Sequence, residues 1–239
     1  MSRHQTILMI TSVFPRWEGD NTPPFVQNLA ESLATRGWNI TVLAPGSSKS
    51  SFHERVNGIE VYRFPYFIPF QLQKLCYDGG MLVNIHVRPW TKCLLPFFFI
   101  SQWISLLWLC LRLNPDLIHS HSLIPQGFTA SAICKILRIK HITTSHGNDV
   151  FGLKATGFMG QLKRGVLRNI DAVTVNSQAT MQAVEELNCP REKIHLIPAS
   201  PNEYPINKEI VAQANITGGN DKKKIFFVGR LIPKKGILQ

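Results

Sequence analysis

The stretch "PDLIHSHSLIPQGFTASAICKILRIKHITTSHG", residues 115–147, reads as one strand, one helix and a second strand. An apolar and β-prone run at 116–120 is followed by helical spacing over 126–137 and by a second short run at 141–145. Two such runs joined by a helix of this length form a parallel βαβ unit. The pattern extends in both directions. Upstream, 6–14 reads as a buried first strand, "FVQNLAESLATRG" as a helix ended by Gly37, and 39–44 as a second strand. Residues 56–64 read as a third strand, with a hairpin around Asn57-Gly58. Downstream, helices over 159–168 and 178–187 alternate with strands over 172–176 and 193–197. This alternation predicts an α/β fold with a parallel sheet and helices on both faces. Residues 66–90 are aromatic and irregular and resist assignment, and 94–113 reads as a long apolar helix.

The 239 residues are 44% hydrophobic, 17% charged and 10% aromatic, enough to bury a core and far from a disordered composition. Lys and Arg number 26 against 15 Asp and Glu, a formal charge of +11. Such a balance favours anionic partners: nucleic acid, lipid headgroups, or nucleotide and phosphate groups. The five cysteines are scattered, with no C-x-x-C, which argues against a disulfide scaffold or a zinc knuckle and for a reducing cytoplasm. The apolar run near the start is short and strand-like, unlike a signal peptide. Two N-x-T sequons occur, and Asn39 of the first sits in an expected strand.

Residues 198–222 are polar and carry prolines and "TGGND", the composition of an inter-domain linker. An apolar run at 225–228 then opens a new strand, followed by "GRLIPKKG". The expected organisation is a first domain over 1–200, a linker over 201–222, and the start of a second domain over 223–239, cut off after its first strand.

Ligands of doubly wound folds sit at the carboxyl ends of the strands. Four loops qualify. In "FPRWEGDNTPPF", Gly19 precedes a helix N-terminus, whose free N–H groups suit a phosphate; an ordinary strand-to-helix loop is the alternative. In "PDLIHSHSLIPQG", strand alternation puts His119 and His121 on one side. That pair could be half of a metal site, but no ligand-like carboxylate or cysteine accompanies it, so a functional or packing pair is preferred. In "ITTSHGNDVFG", His146 and Gly147 directly follow a strand, and Asp149 could orient the imidazole or accept from a hydroxyl; a solvated loop histidine is the competing reading. In the last loop, Arg230 and Lys235 bracket a Pro-containing turn at a spacing that lets two cations converge on one anion. Of the 20 residues over 94–113, 15 are apolar, close to a bilayer span. A span here would separate strands of one sheet, so a helix buried on the sheet, or docked on a membrane surface beside basic residues, is expected instead.

Together these pieces resemble glycosyltransferase family 4, whose members have the two-domain GT-B fold. The resemblance rests on "MITSVFPRWEGD" with "FVQNLAESLATRGWNITVLAP", on "PDLIHSHSLIPQG", "TTSHGNDVFG", "VTVNSQATMQAVEEL" and "IHLIPASPN", and most specifically on "FFVGRLIPKKG". It implies a GT-B-type Rossmann-like N-terminal domain and a sugar transferase with a nucleotide-sugar donor, retention at the anomeric carbon, and no cofactor or obligatory metal. By that resemblance Arg230 and Lys235 neutralise the donor diphosphate, the Gly19 loop lies against donor phosphates or acceptor, and His146 sits near the transferred sugar. Asp149 and His121 would belong to the same substrate-binding region. The implied acceptor is a sugar or a lipid-linked sugar, met by the N-terminal domain in the cytoplasm or at the inner face of a membrane.

The sequence departs from the family pattern in three places. The paired glutamates that hold the donor fall beyond Gln239, Ala199-Ser200 replaces an Asn-Gly, and Glu18-Gly19-Asp20 replaces a Gly-Gly loop. The chain alone is therefore expected to be inactive or nearly so. Three competing readings are a non-catalytic acceptor-binding or regulatory module of the same fold, a basic nucleic-acid-binding protein, and a sugar epimerase of GT-B architecture. Nucleic acid is disfavoured by dispersed charge and the absence of a recognisable binding motif. Measurable turnover of a nucleotide sugar by the 239-residue chain would overturn the expectation of inactivity.

Overall fold

A computed structural model divides the chain into two compact units, Met1–Ala199 and Ser200–Gln239, and describes residues 5–198, all in the first. The expected linker 201–222, the strand at 225–228, and Arg230 and Lys235 lie outside the described residues.

Among the described residues eight strands form one sheet: β1 (Thr6–Ile10), β2 (Asn39–Pro45), β3 (His53–Val56), β4 (Ile59–Phe64), β5 (Leu117–His121), β6 (Lys140–Ser145), β7 (Ala172–Val175) and β8 (Ile194–Leu196). Their order is β3-β4-β2-β1-β5-β6-β7-β8, and only the β3–β4 pair is antiparallel. The expected hairpin is present. Asn57 and Gly58 have φ of 50° and 82°, the pair of positive values that a tight two-residue hairpin turn requires.

Among the described residues seven α-helices accompany the sheet: α1 (Phe25–Ala34), α2 (Met81–Val87), α3 (Leu95–Leu113), α4 (Phe128–Leu137), α5 (Asn148–Phe151), α6 (Gly157–Asn169) and α7 (Gln178–Glu185). Helix α2 and short 3-10 turns organise the aromatic stretch that resisted assignment. Its Asn84 is buried and donates to the carbonyls of Leu75 and Tyr77, contacts made through the fold rather than through any local period.

Side chains alternate across β1. Ile7 and Met9 pack with Val26 and Ala30 of α1, whereas Leu8 and Ile10 pack with Phe98, Leu106 and Leu109 of α3. Both faces of the central strand are thus covered, as a parallel sheet demands. A third cluster joins Val166 and Leu167 of α6, Val184 of α7, and Val173 and Val175 of β7. Two helical expectations need adjustment. Phe25 and Leu29 of α1 sit at the rim of the packed stripe. The helix expected from residue 126 begins at Phe128, after an irregular turn over Leu123–Gly127.

Strand β1 is shorter than the expected 6–14. The Thr11 hydroxyl donates to the Val13 carbonyl at 3.0 Å and accepts from the Val13 N–H at 3.2 Å. That side-chain turn ends the ladder and bends the chain, while Phe14 remains buried.

The long apolar helix α3 lies on the sheet with one face in the core, as the alternating pattern required: Phe98, Leu106 and Leu109 are fully buried. Replacing Phe98 by Ala should cost about 3–5 kcal/mol in urea unfolding, whereas Ile104→Ala on the outer face should cost under about 0.5 kcal/mol.

Candidate active site at the carboxyl edge of the sheet

The chain leaves β1 for β2 on one side and later returns through α3 to β5 on the other. The reversal makes a switch point between β1 and β5, where the loops after two neighbouring strands diverge and open a crevice. The loop over 11–24, which carries Gly19, follows β1, and the turn after His121 follows β5. His146 follows β6, the next strand across.

The β1 loop is shaped by Arg16 and Asp20. The Arg16 Nε and Nη2 donate to the Asp20 carboxylate at 2.9 Å each, and the Arg16 N–H and Thr22 hydroxyl donate to it as well. The Arg16 guanidinium holds the Asp20 carboxyl far below the usual carboxylate range. The guanidinium also meets the Asp78 carboxylate at 3.7 Å and the rings of Trp17 and Tyr77, each 4.4 Å from its carbon. Gly19 stands at φ 79°, a left-handed conformation, and a side chain there would meet nothing within 4 Å. It is an open turn on a rigid base. Beside it, a cleft of about 280 Å³ is lined in part by Arg16, Trp17, Lys49, Lys74 and Asp78.

The histidines form a stacked series. His119 and His121 share one side of β5, as alternation predicted, with ring centroids 4.4 Å apart. His121 stacks in turn on His146 at 5.4 Å, and His121 Nδ1 lies 3.2 Å from His146 Nε2. Phe25, the first residue of α1, packs on His146 at 4.7 Å. That contact puts the first turn of α1, which carries no acidic side chain and no side-chain cap, at this end of the site. At the inner end, His119 Nε2 is 2.7 Å from the Thr144 hydroxyl, which is 2.6 Å from that of Thr174.

Burial sets the charge of these rings. It lowers the pKa of His119 to about 4 and that of His121 well below 6.5, and it lowers His146 too, so the series is neutral near pH 7. His121 Nε2 is buried without a partner. A buried unpaired N–H is costlier than an unpaired acceptor, which assigns the His121 proton to Nδ1. His121 then donates to His146 Nε2, and His146 carries its own proton on Nδ1, on the other side of its ring.

The loop around His146 is anchored from below. Asp149 is buried, and its two oxygens accept from the Leu123 N–H at 2.7 Å and the Ser145 hydroxyl at 3.0 Å. Asp149 was expected to orient His146 or to accept from a hydroxyl; the hydrogen bonds it makes are to Leu123 and Ser145. It ties the turn after β5 to the loop after β6. Lys163 of α6 is fully buried and donates to the carbonyls of Val150 and Leu153 at 2.8 and 2.7 Å, fixing the far side of that loop. Gln126 is also fully buried; with its amide oriented to suit its neighbours, it donates to the His121 carbonyl and accepts from the Ser12 N–H, both at 3.1 Å.

The structure therefore brings His121, His146 and Asp149 together, with Gly19 on the neighbouring loop. Arg16, Asp20, Gln126 and Lys163 were not recognised in the sequence. Only the Arg-x-x-x-Asp spacing of the first two offered a local signal. Among the described residues, no group of three or more His, Cys, Asp or Glu side chains has metal-holding geometry.

The sheet order and the carboxyl-edge site define an α/β protein resembling the GT-B glycosyltransferases. Residues 24–200 match the family model described as Glycosyltransferase Family 4, and the chain belongs to that family. It is 25% identical over 255 aligned positions to TuaC of Bacillus subtilis, a glycosyltransferase assigned to teichuronic acid biosynthesis, covering 98% of this chain and 60% of TuaC. It is also 25% identical to the N-acetyl-alpha-D-glucosaminyl L-malate synthase of Bacillus anthracis, over 59% of this chain and 37% of that enzyme. The chain thus spans less than two thirds of the length of these relatives. Among solved structures, sucrose-phosphate synthase from Thermosynechococcus elongatus superposes with a TM-score of 0.53 at 18% identity, covering 88% of this chain and 94% of that one. HepE of Anabaena, solved in complex with UDP-glucose, superposes with a TM-score of 0.52 at 13% identity, covering 90% and 51%.

Buried neutral histidines make stability depend on pH. His119 and His141 titrate near 4 when folded, against about 6.5 in the unfolded chain, so the unfolded chain takes up protons first. Their contribution is complete above about pH 6.5 and is lost as pH falls toward 4, at up to about 3 kcal/mol each. The urea midpoint should fall steadily from neutral pH to pH 5, and His141→Gln should flatten that slope.

Proposed function

We propose that this chain is the acceptor-side part of a retaining glycosyltransferase that moves a sugar from a nucleotide-sugar donor to a hydroxyl acceptor. The observation that carries the reading is His146: a neutral, half-buried imidazole at the carboxyl edge, held by His121 and Phe25 beside the switch-point crevice, in a chain of this family. Neutrality matters. A charged imidazolium would compete for the leaving diphosphate, whereas a neutral ring with its proton on Nδ1 donates to a sugar hydroxyl and holds the anomeric carbon in place.

The leaving nucleoside diphosphate gains negative charge as the glycosidic bond breaks. Preorganised donors at that position lower the barrier most. By family resemblance Arg230 and Lys235 supply the cations. The Gly19 loop and the leading N–H groups of α1 supply backbone donors near His146. His121 and Asp149 act through position, the first by fixing the His146 proton and the second by anchoring its loop. HepE, which shares the fold, was solved with UDP-glucose, which supports a nucleotide-sugar donor here. The cleft beside Arg16, Lys49 and Lys74 is the natural place for the acceptor.

The test uses a transferase of the relatives' full length that carries this domain. His146→Ala should lower kcat by about 100- to 1,000-fold while the protein still unfolds cooperatively. Arg230→Glu or Lys235→Glu should abolish the melting-temperature shift produced by a nucleoside diphosphate. A His146→Ala variant with full turnover, or an unchanged shift in both charge reversals, would remove the assignment.

A further inference from the structure

Helix α3 has a second face that the core does not use. Phe97, Ile100, Trp103, Ile104, Trp108 and Leu111 are 39–68% exposed. At about 100° per residue they fall on one arc and make an apolar stripe about 21 Å long. Soluble monomers rarely leave so continuous an apolar surface in water. The opposite arc carries Phe98, Leu106 and Leu109 into the core, so α3 cannot leave the sheet to span a bilayer.

Along the chain, the formal charges within and next to α3 are all positive. No Asp or Glu occurs between Asp78 and Asp116. Arg88 and Lys92 stand exposed at its start and Arg112 at its end. The Arg112 guanidinium lies over the Trp108 ring at 5.1 Å, with its stem along the apolar face and its charge at the border. A second copy of this face is a poor occupant: an antiparallel pair of α3 helices would set Arg112 of one against Lys92 of the other, like charge on like. An anionic lipid surface satisfies both features, since acyl chains accept the stripe and headgroups meet the cations.

We propose that the outer face of α3 docks on the surface of an anionic lipid bilayer, with the helix lying in the interfacial plane. Val83 and Val87 of α2, the helix that precedes α3, are exposed as well. Leu82 of the same helix packs against Gly152, the residue after α5, where a Cβ would lie 2.6 Å from Leu82 Cδ1. The proposal concerns this surface alone and needs neither donor nor turnover.

Co-sedimentation of the 239-residue chain with vesicles tests it. Vesicles of phosphatidylcholine with added phosphatidylglycerol should bind the chain at about 0.1 M salt and lose most of it at about 0.5 M, with phosphatidylcholine alone binding far less. The double variant Ile100→Glu, Ile104→Glu should abolish binding. Arg88→Gln, Lys92→Gln and Arg112→Gln should each weaken it by about fivefold. All five positions are exposed, and circular dichroism reports whether each variant keeps the fold. The proposal fails if the wild-type chain ignores anionic vesicles, if the folded double variant binds as well as wild type, or if the stripe is found closed in a stable dimer.

Discussion

A parallel strand at the middle of a sheet exposes no face to water. Leu8, Met9 and Ile10 of β1 are fully buried, and alternate side chains need apolar cover on opposite sides. Helix α1 supplies one cover and α3 the other. Most of the architecture follows from this requirement. With β1 central, the chain must build β2 and β4 on one flank and return to build β5 to β8 on the other. The return creates the switch point, and the switch point creates the crevice. The long apolar sequence of α3 is the means by which the chain crosses back over the sheet.

The candidate site inherits its stiffness from the same core. Its chemistry-bearing residues sit at strand ends and on the loops that follow them, and those loops are fixed from beneath by buried polar groups with partners: Asp20 on Arg16, Asp149 on Leu123 and Ser145, Lys163 on two carbonyls. A buried carboxylate or ammonium left unpaired would cost several kcal/mol, so each anchor strongly favours one loop geometry. The histidine series follows the same logic with neutral groups. Burial strips the rings of charge, and stacking with a single hydrogen bond orients the outermost one. Family membership is the reason sugar transfer is the reaction proposed for this arrangement.

Helix α3 shows how one element can answer two solvents. Its inner arc is part of the core that fixes the sheet, and its outer arc is as apolar as the inner one. A sequence apolar on every side, by composition alone, is ambiguous between a core helix and a membrane span. The tertiary structure removes that ambiguity for one face only. The face left over, with cations at both ends, is the one proposed to meet lipid.

Much of this was legible in the sequence, for a local reason. Strand and helix periods, the Asn57-Gly58 turn, and the shared side of His119 and His121 are properties of neighbouring residues, and backbone geometry translates them directly. The same alternation placed His146 and Gly19 in loops at strand ends. The sequence did not disclose the strand order, the early end of β1 at Thr11, or the organisation of 66–90. Nor did it disclose that Asp149 reaches back to Leu123, that Lys163 is buried, or which arc of α3 stays outside. Most of these depend on contacts between residues distant in the chain, as with Asp149 and Leu123, 26 positions apart. Periodicity carries no information about partners at that separation. The sequence by itself determined which segments could be strands, helices and functional loops. The tertiary structure decided which groups were sealed from water, and burial is what sets the charge of His121 and the exposed face of α3.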